Sequence, residues 1–144
     1  MEELIKILDE NLEYKTHVIE KDDVYIYVKS RKKEAVCPYC RKESDKIHLK
    51  YERKIQDLPI QGKKVTIYLE QNNYFCHNPE CRHKTFAERY LFFDAKARKT
   101  KRLQAEILRV SLNQSSVSAS KYLRASVANV GKSTICNLLK KKRE

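Results

Sequence analysis

Two pairs of cysteines constrain this chain more than any other feature: Cys37-Pro38-Tyr39-Cys40 and, after 35 intervening residues, Cys76-His77-Asn78-Pro79-Glu80-Cys81. A two-residue gap lets one tight turn aim two thiolates at a single point. The four-residue gap of the second pair contains a proline that can fix a knuckle-like turn. Zn²⁺ prefers four soft ligands in a tetrahedron, with each sulfur at about 2.3 Å. The spacing therefore predicts one zinc held by Cys37, Cys40, Cys76 and Cys81, with the intervening strands bringing the two turns together as a zinc ribbon. Four cysteines close the coordination shell, so the site reads as structural, and His77 and His83 fall outside it. Cys136 stands alone on an expected helix and reads as a packed thiol.

A fold of this size is only marginally stable on its apolar core, and a metal would replace part of what is missing. The N-terminus, MEELIKILDE, is acidic and lacks a basic-then-apolar leader pattern, which predicts a cytoplasmic protein whose cysteines stay reduced. No stretch approaches the ~20 apolar residues of a membrane span.

The apolar pattern divides the chain into three parts. Residues 1–30 read as a short helix, with Leu4, Ile5, Leu8 and Leu12 on one face, followed by a β-hairpin around Lys21-Asp22-Asp23. This piece is too small to fold alone and is expected to pack on the strands that come after it. Residues 31–95 read as a zinc-ribbon domain of short antiparallel strands; Val65, Ile67 and Leu69 alternate with Thr66, Tyr68 and Glu70, and the chain reverses in LPIQGKK. Residues 96–144 read as a basic linker and three short helices. The first carries Leu103, Ile107 and Val110, the second Val117, Tyr122 and Leu123, and the third Ile135, Leu138 and Leu139. The expected class is α+β, a zinc ribbon followed by a small three-helix, helix-turn-helix unit.

Charge is distributed unevenly across these parts. The net formal charge is +12, yet residues 1–30 hold four Lys and Arg against eight Asp and Glu, whereas residues 96–144 hold thirteen against two. Four thiolates around Zn²⁺ would lower the total only to about +10. A basic C-terminal third points to a polyanion partner, most often nucleic acid.

The segment Asn129-Val130-Gly131-Lys132-Ser133-Thr134 resembles the end of a phosphate-binding loop. Such a loop needs another glycine five positions before Gly131, where Ser126 stands, and it follows a buried strand rather than a helix. No nucleotide is therefore expected. Gly131 instead suits the N-cap of the third helix. If Ile135, Leu138 and Leu139 face inward, then Lys132, Ser133, Asn137 and Lys140 face outward, with Thr134 and Cys136 at the margin. The second helix of a helix-turn-helix lies in the DNA major groove, where Asn, Lys and Ser or Thr reach base edges. Lys96, Arg98, Lys99, Lys101 and Arg102, with the run from Lys140 and Lys141 to Arg143, would supply salt-dependent phosphate contacts.

The ordered motifs CPYC, YERKIQDLPIQGKKVTIYLEQNNYFCHNPEC and KTFAERY resemble the zinc-finger region of a large group of bacterial insertion-sequence transposases. The fragments DLPIQGKKV, FCHNPEC and TFAER carry most of the likeness, which runs over about residues 15–140. In that group a helix-turn-helix and then a DDE catalytic core follow the finger. The resemblance implies binding of double-stranded DNA at the element's terminal repeats. A second copy of the chain is a further candidate partner. A DDE core holds two metal ions with three carboxylates, and Asp57, Asp94 and Glu106 form no such triad. The expectation is a chain that has no catalytic activity of its own. The alternative is a free-standing zinc-containing helix-turn-helix regulator or repressor.

Overall fold

The structure is a computed structural model that describes residues 1–143, with side chains as far as Lys142; the expected phosphate contact at Arg143 thus lies outside the described side chains. The protein is α+β. Helix α1 (Glu2–Leu8) leads into β1 (Leu12–Ile19), β2 (Asp23–Ser30), β3 (Ala35–Val36), β4 (Glu43–Ser44), β5 (Ile47–Ile60), β6 (Lys63–Phe75) and β7 (Thr85–Ala87). Helices α2 (Lys101–Ser111), α3 (Ser116–Ser126) and α4 (Lys132–Arg143) complete the chain. No helix among the described residues is long and apolar enough to cross a membrane.

The main sheet has the order β1-β2-β6-β5, with β7 pairing the far end of β6. Its strands are not uniformly short or antiparallel. β5 and β6 form a hairpin of 14 and 13 residues, and β2 runs parallel to β6. The two parallel strands share one apolar face. Val24, Ile26 and Val28 present one apolar face in register with Val65, Ile67 and Leu69, so pairing the two strands merges their apolar faces into one. Ile5, Leu12, Ile55, Tyr90, Phe92 and Phe93 complete this core. The N-terminal piece therefore belongs to the same core as the long hairpin.

Gln61 and Gly62 turn the hairpin, both with positive φ (50° and 77°), and Ile60 pairs Lys63 across them. Two consecutive left-handed residues match the right-handed twist of the flanking strands. Between Asp57 and Ile60 the register slips. That irregularity, at Leu58-Pro59, lets Leu58 leave the sheet's core and pack against the helices.

Helix α1 is shorter than the sequence pattern implies. Asp9 adopts an extended backbone, and its carboxylate accepts from the Asn11 N–H at 2.8 Å. This local bond competes with the helix, so Leu12 starts β1 rather than a third helical turn, and Leu4 is left exposed. On α3 the buried face is Ala119, Ser120 and Leu123, while Val117 and Tyr122 are about half exposed. Small residues face inward because three helices converge on one compact cluster. That cluster comprises Leu103, Ile107, Val110, Ala119, Leu123, Val127, Ala128, Val130 and Ile135, with Leu138 and Leu139 at its edge.

Candidate metal centre and nucleic-acid interface

Each cysteine pair sits on a turn whose backbone bonds hold it in shape. At the first, the Cys37 N–H donates to the Lys42 carbonyl at 2.9 Å, and the Arg41 N–H donates to the Cys37 carbonyl at 2.8 Å. Arg41 adopts a left-handed φ of 67° to close the turn at the tip of the β3–β4 hairpin. At the second, the Cys76 N–H donates to Lys84 at 2.8 Å, and the Cys81 N–H donates to Asn78 at 3.1 Å. The Asn78 side chain accepts from the Glu80 N–H, which braces the Pro79 turn. Tyr74 and Phe86 form the apolar floor beneath the four cysteines.

The two turns bring Cys37, Cys40, Cys76 and Cys81 together with all four sulfurs within 4.8 Å of one another. Cys40 Sγ lies 3.5 Å from Cys76 Sγ. A tetrahedral Zn–S site places its sulfurs about 3.8 Å apart, so the cluster is of the right size. The surrounding groups pull the proton affinities of these thiols apart. The Lys42 N–H pulls Cys40 down to about 6, against the opposing effect of burial. At Cys76 the Asn78 N–H pulls downward, but burial and the neighbouring sulfurs outweigh it and push the thiol up to about 12. At Cys81 the His83 N–H and the Cys76 sulfur pull downward, yet burial with the Cys40 and Cys37 sulfurs leaves it raised. A dication removes this conflict, because it favours the thiolate at every position. The site is that of one structural zinc. His83 lies outside it, stacked on Tyr39 at 3.5 Å between ring centroids, and His77 faces Asp45 at 3.8 Å.

The basic segment after the sheet is not a loose linker. Arg53 donates to the carbonyls of Ala95 and Ala97 at 2.8 and 2.6 Å. The Gln56 N–H donates to Arg98, and the Gln56 carbonyl accepts from the Thr100 N–H, so this segment lies along β5. The Gln56 side chain reaches further, accepting from the Asn129 N–H at 2.9 Å. Lys64 donates to the Asn129 side chain at 3.2 Å. Thr100 caps α2 by accepting from the Leu103 N–H and donates its own hydroxyl proton to Asp57 at 2.8 Å.

These bonds sort the cations of this segment into two groups. Arg102 grips the buried carboxylate of Asp57 with two guanidinium N–H groups, one of them at 2.8 Å, and Lys101 lies 3.8 Å from Asp94. Lys96, Arg98 and Lys99 form no ion pair among the described residues. Lys99 is half-buried, and its pKa is lowered by that burial and by the charge of Arg98. Asp57, Asp94 and Glu106 each face a cation, respectively Arg102, Lys101 and Arg109.

On α4 the structure exposes Lys132, Ser133, Asn137, Lys140 and Lys141, half-buries Thr134 and Cys136, and buries Ile135. The Ile135 N–H donates to the Gly131 carbonyl, which puts Gly131 at the start of the helix. The turn before it is drawn onto α3 by Ser120 and Arg124, which both donate to the Val130 carbonyl, at 2.9 and 3.0 Å. Sequence reasoning did not single out Arg53 or Gln56, and it named Asn129 only as the first residue of the phosphate-loop-like segment. Each acts through a pairing between segments far apart in the chain, for which the local pattern holds no signal.

Residues 33–81, about a third of the chain, match the family model described as the zinc-finger of transposase IS204/IS1001/IS1096/IS1165. The match takes in both cysteine pairs and the long hairpin between them. TFAER and the helical segment lie beyond it. No curated protein and no solved structure matches the chain.

Proposed function

We propose that this chain is a DNA-binding part of an insertion-sequence transposase, with α3, its turn and α4 as the reader and the zinc ribbon as the brace. On this reading residues 96–144 carry the contacts to a duplex at the element's terminal repeats. Residues 1–30 and 31–95 hold the reader in place, and the chain carries out no strand cleavage of its own.

The observation that carries the reading is the outer face of α4. Lys132, Ser133, Asn137 and Lys140 share one exposed surface over a buried Ile135. Asn pairs naturally with adenine, Lys with guanine or phosphate, and Ser or Thr with either. Beside that surface stand Arg98, Lys99 and Lys141, with Lys96 further along the same segment, all without carboxylate partners among the described residues. Lys101 and Arg102, by contrast, serve the fold, so they contribute less to phosphate binding than their position in the basic run suggests. The zinc-ribbon match at residues 33–81 supplies the context of a transposase.

The test is selection of bound duplexes from a random pool at stated salt, with zinc-loaded protein and after chelation. The expected result is a shared sequence motif in the zinc-loaded pool. A pool that remains random, or an absence of duplex binding at low salt, overturns the reading.

A further inference from the structure

The bonds that pin residues 95–98 also raise them into a lip beside the sheet. Arg53 holds the lip from below through the carbonyls of Ala95 and Ala97, and its guanidinium lies over the Phe93 ring at 5.3 Å. Between this lip and β5 lies an open cleft of about 620 Å³, with Lys54 on the strand side and Lys96 and Arg98 on the lip side. Glu52 is the one carboxylate on its wall among the described residues. Arg98 also walls a second cleft, of about 270 Å³, which it shares with Lys99, Thr134, Asn137 and Lys141. The two clefts thus share Arg98 as a common wall, one on the side of β5 and the other on the side of α4.

Positive charge outweighs the single carboxylate of Glu52 along these walls. Lys54, Lys96, Arg98, Lys99 and Lys141 make no ion pair among the described residues. Burial first, and then the charge of Arg98, lowers the proton affinity of Lys99. Such a row is stabilised by an anion with repeated charges. A duplex backbone provides one, carrying a phosphate every ~3.4 Å of rise along each strand.

We infer that the notch between β5 and the Ala95–Arg98 lip is a sequence-independent phosphate site, in which Lys54, Lys96 and Arg98 take the backbone of a DNA duplex beyond the stretch read by α4. The sheet is then part of the DNA-binding surface and not only its support. This inference rests on the DNA-binding reading above, and Lys54, on a strand, is the residue that separates the two.

The experiment compares zinc-loaded full-length protein with Lys54→Ala, Lys54→Glu and Lys54→Ala/Lys96→Ala variants. The probes are the selected duplex and a scrambled duplex of equal length, across a salt series. Lys15→Ala, on β1, is the control. Retained zinc and an unchanged melting midpoint establish that each variant is folded; the exposed positions of Lys54 and Lys96 make that the expected result. The double variant is expected to lose about tenfold in affinity for both duplexes at low salt. Its plot of log affinity against log salt is expected to flatten by about 1 to 2 units, as when one or two fewer phosphates are neutralised. Lys54→Glu is expected to lose more than Lys54→Ala. Wild-type binding with unchanged affinity and salt slope in the variants overturns the inference while leaving the α4 reading intact. A loss confined to the selected duplex overturns it as well, because that reports base contact. If wild type binds neither duplex but binds an acidic protein surface such as polyglutamate, both readings fall.

Discussion

Arg102 on α2 grips Asp57 on β5 through both carboxylate oxygens, and Asp57 also accepts a hydrogen bond from the hydroxyl of Thr100, the residue that caps α2. One carboxylate thus fixes where the helical cluster begins and how it meets the sheet. Its side chain is 5 % exposed whereas that of Arg102 is 49 % exposed. Removing the acid costs the cap support and two charge-assisted bonds, while the arginine left behind can return to water.

Asp57→Ala is therefore expected to destabilise the protein by about 2 kcal/mol, the range for bonds to a charged group with a half-exposed partner. Asp57→Asn is expected to lose less, since its side-chain carbonyl still accepts from Thr100. Chemical denaturation monitored by circular dichroism checks this. Equal stability of Asp57→Ala and wild type would show that the pair does not couple sheet to helices.

Metal content is expected to be one zinc per chain. Cys37→Ser and Cys81→Ser are each expected to abolish it and to unfold the ribbon, because three thiolates and a hydroxyl cannot match the affinity of four sulfurs. Atomic emission on purified variants, alongside amide exchange over residues 33–87, reads both effects. Full metal retention in both variants would rule out the four-cysteine site.

Lys132→Ala combined with Asn137→Ala is expected to weaken binding to the selected duplex by about 1–3 kcal/mol for each base that is no longer read, with little change on scrambled DNA. Lys99→Ala is expected to weaken both duplexes alike. Fluorescence anisotropy titrations at fixed salt separate these patterns. An equal loss on both duplexes for the α4 variant would exclude base readout by that helix.

Gly62→Ala is expected to cost about 1 kcal/mol, since φ of +77° is a left-handed conformation that alanine adopts with strain. Beyond the residue's own chain neighbours no atom lies within 4 Å of the added methyl, so the cost is conformational rather than a clash with the rest of the fold. A thermal melt decides it. A gain in stability would mean that the turn relaxes to another type.

The metal centre was fully legible in the sequence, because ligand spacing is a local property: Cys37 with Cys40, and Cys76 with Cys81, each lie on one turn. The outward face of α4 was equally legible from the period of Ile135, Leu138 and Leu139. The parallel register of β2 on β6 was not, because alternation in Val24, Ile26 and Val28 reveals an apolar face but not its neighbour. The same limit applied to Arg102. Its place in a run of cations suggested a phosphate contact, and only the fold brings Asp57, 45 residues earlier, against it. Val117 and Tyr122 gave a helical period of the right kind, but the close approach of three helices favoured Ala119 and Ser120 on the inner face.

Gln56 binds Arg98 and Thr100 through its backbone and Asn129 through its side chain, while Ile47, at the other end of the same strand, lies next to the knuckle that begins at Cys76. Ten residues of strand span about 30 Å. The ion and the turn ahead of α4 thus stand at opposite ends of a stiff bar. On the DNA-binding reading, loosening the sulfur end would free one end of the bar, and the helices would meet DNA over a wider range of angles. Such a protein would still hold a duplex, but would tolerate altered spacing between the bases it reads and the phosphates it grips.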